Sequence, residues 1–275
     1  MNNQILGEVE LKNASISFKG DHNIFFCKKK GILENCQIRF TGSNSLVFID
    51  ENDYPLSLNM RLGNDSVIYI GKKCYTNKTS FLYATERKHI FLGDELLLSF
   101  HTYFRTADPH ILYDTKTNQR INPSQSIFLG DHIWIGQECF LLKGTIMGSG
   151  SVLGGHSVIT KKIVPSNTLY AGNPAKKRKE HIFYGSPEAT HDFHQEDIEK
   201  AKVYKEKDSY VYEEDPHTLS FQQMDETLSS LKTSKEKKEY LETKISKHLY
   251  KNRFAIDEKN PISIGKPLNV MEKHN

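Results

Sequence analysis

The chain has only four cysteines in 275 residues, Cys27, Cys36, Cys74 and Cys139, and no two form a CxxC pair. That spacing excludes a dense disulfide framework and argues against a thiolate zinc site. It predicts a reducing compartment in which each thiol fills space as a small apolar group. No run of about 18 apolar residues occurs, so no membrane-spanning helix is expected. The opening MNNQILGEVELKN lacks a basic stretch leading into an apolar core, so a secretory signal is not expected and a cytoplasmic protein is. Charge of one sign is scarce too: a formal net charge of +3 does not call for nucleic acid as a partner. Tryptophan occurs once, at position 134.

What the chain does have is a period. From Phe128 to Asn173 an apolar residue recurs every six positions, at Leu129, Ile135, Leu141, Met147, Leu153 and Ile159, with glycine after four of them. A second register follows at Ile133, Cys139, Thr145, Ser151, Ser157 and Ile163. Six is neither the helical 3.6 nor plain strand alternation, so it predicts a solenoid of very short strands with a turn every six residues. Earlier in the chain the frame is interrupted. Leu92, Leu98 and Phe104 keep it, while the polar stretch from Cys74 to His89 reads as an excursion from the coil. Residues 1–61 alternate apolar and polar side chains, which predicts strands, with degenerate coils of the same solenoid as the alternative.

Two departures from the frame bear on function. Between Phe104 and Leu129 the repeat stops, and residues 105–127 hold two prolines and several turn formers. A coil interior has no room for such an insertion, so it must project outward, where functional groups gather on a rigid scaffold. Beyond the solenoid unit, residues 62–185, composition shifts and residues 186–275 read as a helical extension. Phe221, Met224, Leu228 and Leu231 stand at helical spacing, as do Leu241, Ile245 and Leu249, and Thr233 with Glu236 fits a capping box. These helices are expected to cap the open end of the coil, with docking to a partner or a membrane surface as the other reading.

The hexads, the phrase GDHIWIG, the phrase RTADPH ahead of it and the closing YAGNPAK together resemble the left-handed β-helix (hexapeptide-repeat) acetyltransferases. Within them the combination is similar to bacterial O-acetyltransferases of capsular polysaccharide and polysialic acid. The likeness runs from about Leu62 to Phe183 and is strongest from Arg105 to Lys177. It implies a mainly β fold, a left-handed parallel β-helix of triangular coils, assembled as a homotrimer, with acetyl-coenzyme A as donor and active sites in the clefts between subunits.

A sugar hydroxyl is a poor nucleophile until its proton is removed, and an imidazole suits that task near neutral pH. His110, in the projecting segment, is the candidate base, and the resemblance places it at the family's catalytic histidine. Asp108 or Asp114 could fix its tautomer, with Asp108 preferred. Trp134 directly precedes the inward Ile135, so it should point outward, and the resemblance gives it a role at the thioester end of the donor. For coenzyme A, the expected contacts are Gly136, Gly154 and Gly155 along the pantetheine arm, Asn173 and Pro174 at the groove's end, and a cationic end formed by Lys161, Lys162, Lys177 and Arg178 with Lys176 and Lys179. Arg105, Lys116 and Arg120 could attract an anionic acceptor, and Tyr103 and Tyr113 could stack on a sugar. His132 and His156 lie 24 positions apart, on different faces of an 18-residue coil, so no metal site is expected, and His132 reads as a neighbour of the cleft or a trimer contact. The sequence thus predicts acetyl transfer to a hydroxyl of a capsular or other cell-surface polysaccharide in a ternary complex. The rivals are N-acetyl transfer to a nucleotide-linked aminosugar and a non-catalytic trimeric platform whose helical tail docks capsule-synthesis enzymes.

Overall fold

Strands of two to five residues stack in parallel into three long sheets, and the chain visits the sheets in a fixed cyclic order. The computed structural model describes residues 2–185 and 193–258; the rest of the predicted extension lies outside the described residues. The first face has eight strands, from Gln4–Leu6 and Ile24–Cys27 to Ile163–Val164. The second holds Tyr75–Thr76, Leu97–Leu98, Trp134–Ile135, Val152–Leu153 and Leu169–Ala171, closed by the antiparallel Lys176–Lys179, with a separate pair, Val9–Lys12 and Gly31–Glu34, in the earlier coils. The third has seven strands, from Ser15–Phe18 to Val158–Ile159. The result is a parallel β-solenoid of about seven turns.

The hexad positions fill its interior. Leu129, Ile135, Leu141, Met147 and Leu153 have no exposed surface and Ile159 has 2%, because a two-residue strand turns one side chain inward and the next outward. The last member of the second register departs from this: Ile163 is 41% exposed and Val164 is buried instead. Val164 pairs with Met147 and Ile163 with the outward-facing Ile146, so that coil is one residue short and the inward position arrives one residue early.

Early coils are wider. Leu46 stacks on Ile24 and Val67 on Leu46, a step of about 22 residues, whereas Ile146 stacks on Phe128, a step of about 18. Wide coils carry four-residue strands on the first face, Leu46–Ile49, Val67–Ile70 and His89–Leu92. The residues from 1 to 61 therefore build coils of the same three faces, joining the first and third sheets directly and forming their own pair on the second. The segment from Cys74 to His89 is likewise part of the coil and not an excursion: Tyr75–Thr76 and Ser80–Ala84 pair with strands of the next coil. Its exposed polar residues, Asn77, Lys78, Glu86 and Arg87, lie on the turns between strands, while Thr76, Ser80 and His89 are buried.

The two longer apolar stripes do not cap the coil's end but turn onto one of its faces, except Leu249, which lies beyond the last helical turn and is 75% exposed. α1 (Gln195–Ala201) buries nothing. α2 (Phe221–Ser230) and α3 (Ser234–Tyr240, continued by a π turn at Leu241–Ile245) lie against the outer side of the first face. Phe221, Met224, Leu228, Leu241, Ile245, Phe254 and Ile256 pack on Ile24, Phe26, Leu46, Phe48, Val67, Tyr69, Phe91 and Phe128. Each such side chain, removed from water, contributes about 1.5–3 kcal/mol. The wide strands are hence buried on both sides. α3 starts in the expected capping box, with the Thr233 hydroxyl accepting from Glu236 N–H and the Glu236 carboxylate accepting from Thr233 N–H.

One buried cation ties the tail down. Arg253, 2% exposed, donates to Asp131 at 2.7 and 2.8 Å, reaches Asp94 at 2.8 Å and also donates to the carbonyls of Ile245 and His248. Burial, with Asp131 beside it, pushes the Asp94 carboxyl up to about 6.

Candidate active site

The projecting segment leaves the third face after Tyr103–Arg105 and re-enters the first face at Ile127–Leu129. It forms a short antiparallel arm, with Tyr113 bridged to Arg120 and Ile121 N–H donating to Leu112 O. Its tip is closed by Asp114, whose carboxylate accepts from the N–H groups of Lys116 and Thr117 and from the Thr117 hydroxyl. Those three bonds hold its pKa below the usual carboxylate range. Asp114 thus builds the turn.

The foot of the arm is anchored on the corner between the third and first faces. Asp108 accepts from the Lys143 ammonium and, at 2.8 Å, from Asn122 Nδ2. The Lys143 bond, foremost, lowers the Asp108 pKa. Asn122 Nδ2 also donates to the carbonyl of His110 at 2.8 Å, and Asn122 Oδ1 accepts from Leu112 N–H. Lys143 is nearly buried, at 8% exposure. His110 itself is exposed, so Asp108 holds the backbone around the imidazole through Asn122. Lys143 and Asn122 were not singled out from sequence; the hexad frame was the available signal, since it sets Lys143 on the corner where the segment departs.

Trp134 lies on the second face, between Leu97 and Val152. Its indole is 40% exposed while Ile135 is buried, the outward placement that strand parity requires. Its Nε1–H donates to Ser99 Oγ at 3.2 Å. In a three-sided coil, the corner between the third and first faces is the one opposite the second face. Within one chain, then, His110 and Trp134 stand on opposite sides of the prism. The arm also leaves apolar surface uncovered, with Ile111, Leu112, Tyr113 and Ile121 each about half exposed.

The other expected contacts divide. Gly136 is buried, and a Cβ there would come within 2.5 Å of Gly155 N; one on Gly154 would meet the Ala171 Cβ at 3.0 Å. Close stacking of coils requires these two glycines, and Gly155 is the exposed one. Asn173 and Pro174, joined by a cis peptide, are exposed on the turn after Leu169–Ala171. Arg178 folds over that turn and donates to Ala171 O at 3.2 Å. Lys177 is engaged by Glu180 and by Glu258 at 2.8 Å, which raises its pKa. The cationic end is not one patch: Lys161 and Lys162 lie between Val158–Ile159 and Ile163–Val164, on the corner that carries the arm, with Lys161 N–H donating to Lys143 O.

Of the acceptor candidates, Arg120 is committed to Glu86 at 2.8 and 2.9 Å, Lys116 and Tyr113 are exposed on the arm, and Arg105 lies over the Tyr83 ring at 5.0 Å. His132 is not a free contact. It is buried between Tyr184 and Tyr210, ring centroids 4.1 and 3.8 Å away, with Nε2 3.0 Å from Tyr184 O. His156 is exposed and 3.2 Å from Glu138.

The parallel β-solenoid built of six-residue repeats is the fold of the hexapeptide-repeat acetyltransferases, and the chain belongs to that family. "Putative acetyltransferase SACOL2570" of Staphylococcus aureus (strain COL) is 30% identical over 149 residues, 54% of this chain and 68% of that protein. The "Polysialic acid O-acetyltransferase" of Neisseria meningitidis is 28% identical over 146 residues, 52% of this chain and 67% of its own length. Among solved structures, the polySia specific acetyltransferase NeuO shares the fold, with a TM-score of 0.52 and 22% identity over 69% of this chain and 98% of that one. No family model matches the chain. Among the described residues no helix is long and apolar enough to cross a membrane.

Proposed function

We propose that the protein transfers an acetyl group from acetyl-coenzyme A to a hydroxyl of a cell-surface polysaccharide, within a homotrimer whose active sites lie between copies. The observation that carries this reading is the opposition of the two candidate residues. An exposed histidine on an anchored arm and an exposed tryptophan on the opposite face become one site only when the arm of one copy reaches the second face of the next. The bare apolar side chains at Ile111, Leu112, Tyr113 and Ile121 suit that contact, because burying them against a neighbour removes them from water. The corner lysines Lys161 and Lys162 would face the same neighbour.

The chemistry is a single displacement. The acceptor oxygen attacks the thioester carbonyl carbon as a ring nitrogen of His110 takes the hydroxyl proton. The carbon–sulfur bond then breaks, and the proton passes to the departing thiolate, so neither acyl-enzyme nor metal is needed. The Trp134 indole, its N–H turned from Ser99 to the donor, would steady the thioester end, and Gly155, Asn173, Pro174 and Arg178 would line the path of the donor's arm on the second face. The names of the relatives support polysaccharide as the acceptor class.

The test is His110→Ala. Because the side chain is exposed, melting should be unchanged, while transfer to polymer falls by about 10²–10⁴, followed by release of free thiol. Turnover equal to the parent protein's would remove His110 as the base. Consumption of acetyl donor with a nucleotide-linked aminosugar, and none with any polymer, would replace O-acetylation by N-acetylation.

A further inference from the structure

The outer surface of the third face carries a row of residues in register across successive strands: Arg39, Arg61, Tyr83 and Arg105. Neighbouring strands lie about 4.8 Å apart, so the Arg39 and Arg61 side chains leave the sheet one directly above the other. Like charges paired across a sheet destabilise it. Among the described residues no carboxylate lies within 4 Å of any of the three arginines to relieve this. Arg39 donates to Gln37, and the Tyr83 ring supports Arg105. With Gln37, Asn59 and Phe81 the row walls a hollow of about 370 Å³. Arg105 ends the strand from which the His110 arm departs.

We propose that this row is a docking track for an extended carboxylate-bearing polysaccharide, running along the solenoid to the foot of the arm. The proposal rests on the polysaccharide reading above and adds the charge of the acceptor and where it lies. A stack of unpaired guanidinium groups is satisfied by a ligand that brings a carboxylate to each, and the planar fork of arginine accepts a carboxylate through two hydrogen bonds. A second copy of the chain fits less well, since a row of like charge needs an acidic counterpart. The adjacent row on the same face, Phe81, Tyr103 and Phe140, is apolar and lies on the side nearer the second face. Single-stranded nucleic acid is also disfavoured. Those rings already stack on one another at 4.6 and 4.7 Å with interplanar angles of 6° and 5°, leaving no slot between them for bases.

The test uses the full chain and the variant Arg39→Gln/Arg61→Gln, with labelled polysialic acid as the anionic probe, dextran as the neutral polymer and poly(U) as the nucleic-acid arm. Binding is read by fluorescence anisotropy from low to high salt. The parent protein should bind polysialic acid and not dextran. The double variant should bind it at least about tenfold more weakly, with the salt slope reduced by about one for each arginine removed. Its melting temperature should hold or rise, since stacked like charges have been removed. Undiminished affinity and slope in the variant, no binding of the anionic polymer to the parent, or tighter binding of poly(U) would each overturn the track. The two readings separate cleanly. If the variant loses binding but the parent acetylates no polymer, the track stands and the acceptor assignment falls; if the parent acetylates polymer and the variant binds it equally well, only the track falls.

Discussion

His89 shows how one buried side chain writes a pH dependence into the fold. It is 1% exposed on the first face, its Nδ1 has no hydrogen-bond partner, and Ser229 Oγ lies 3.5 Å from Nε2. Burial, with Lys237 and Lys88 nearby, pushes its pKa down to about 3. An unfolded histidine takes a proton below about pH 6.5, and the folded one does not until far lower pH. The unfolded state therefore binds more protons across that window, and stability falls as pH falls through it. Relative to His89→Gln, the parent protein should lose about 2 kcal/mol of unfolding free energy between pH 7 and pH 5, measured by urea denaturation; parallel profiles would contradict the buried, neutral state. At the arm, Lys143→Met removes the cation that holds Asp108. The His110 backbone is then positioned by Asn122 alone, and kcat should fall by about 10²-fold while donor binding, measured by calorimetry, persists.

At the scale of the element, the hexads were legible where the coil is about 18 residues and hidden where it is about 22. Six divides the first, so Leu129 through Ile159 keep one frame; the extra residues of the wide coils lengthen strands such as Leu46–Ile49 and break it. Ile163 was misplaced because one residue is missing before Val164, a slip that periodicity alone passes over. Strand parity carried the outward placement of Trp134 from sequence. The Asp108–Lys143 pair was out of reach, because it joins residues 35 apart across an insertion whose path no period fixes. The helical stripes were legible, but their destination depended on outer side chains such as Phe48 and Tyr69, which belong to strands that the sequence did not place. The latch at Arg253 gives the element-scale prediction. Arg253→Met leaves Asp94 and Asp131 buried together without their cation, at a cost of about 3–5 kcal/mol near neutral pH. Since Asp94 is already raised to about 6 and loses the group that opposed that rise, its protonated form is favoured by folding. The deficit should shrink as pH falls from 7.5 to 5, seen as a partial recovery of Tm.

For the whole molecule, the opposed placement of His110 and Trp134 makes a prediction that a single-chain site would not. His110→Ala and Trp134→Ala should each be inactive alone, yet their co-expression should restore activity at sites that draw an intact arm from one copy and an intact indole from the other. Random assembly into closed trimers would make about a quarter of the sites native. An inactive mixture, in particles shown by sedimentation to be mixed trimers, would place both residues of a site in one chain.

The tail lying along the first face also decides how many neighbours a copy can have. A three-sided prism adhesive on every side would tile a plane without limit. Because α2 and α3 occupy one side with the chain's own Phe221, Met224 and Leu228, that side is closed to other copies, and in the trimer proposed above a copy is left with at most two neighbours, enough to close a ring but not to branch.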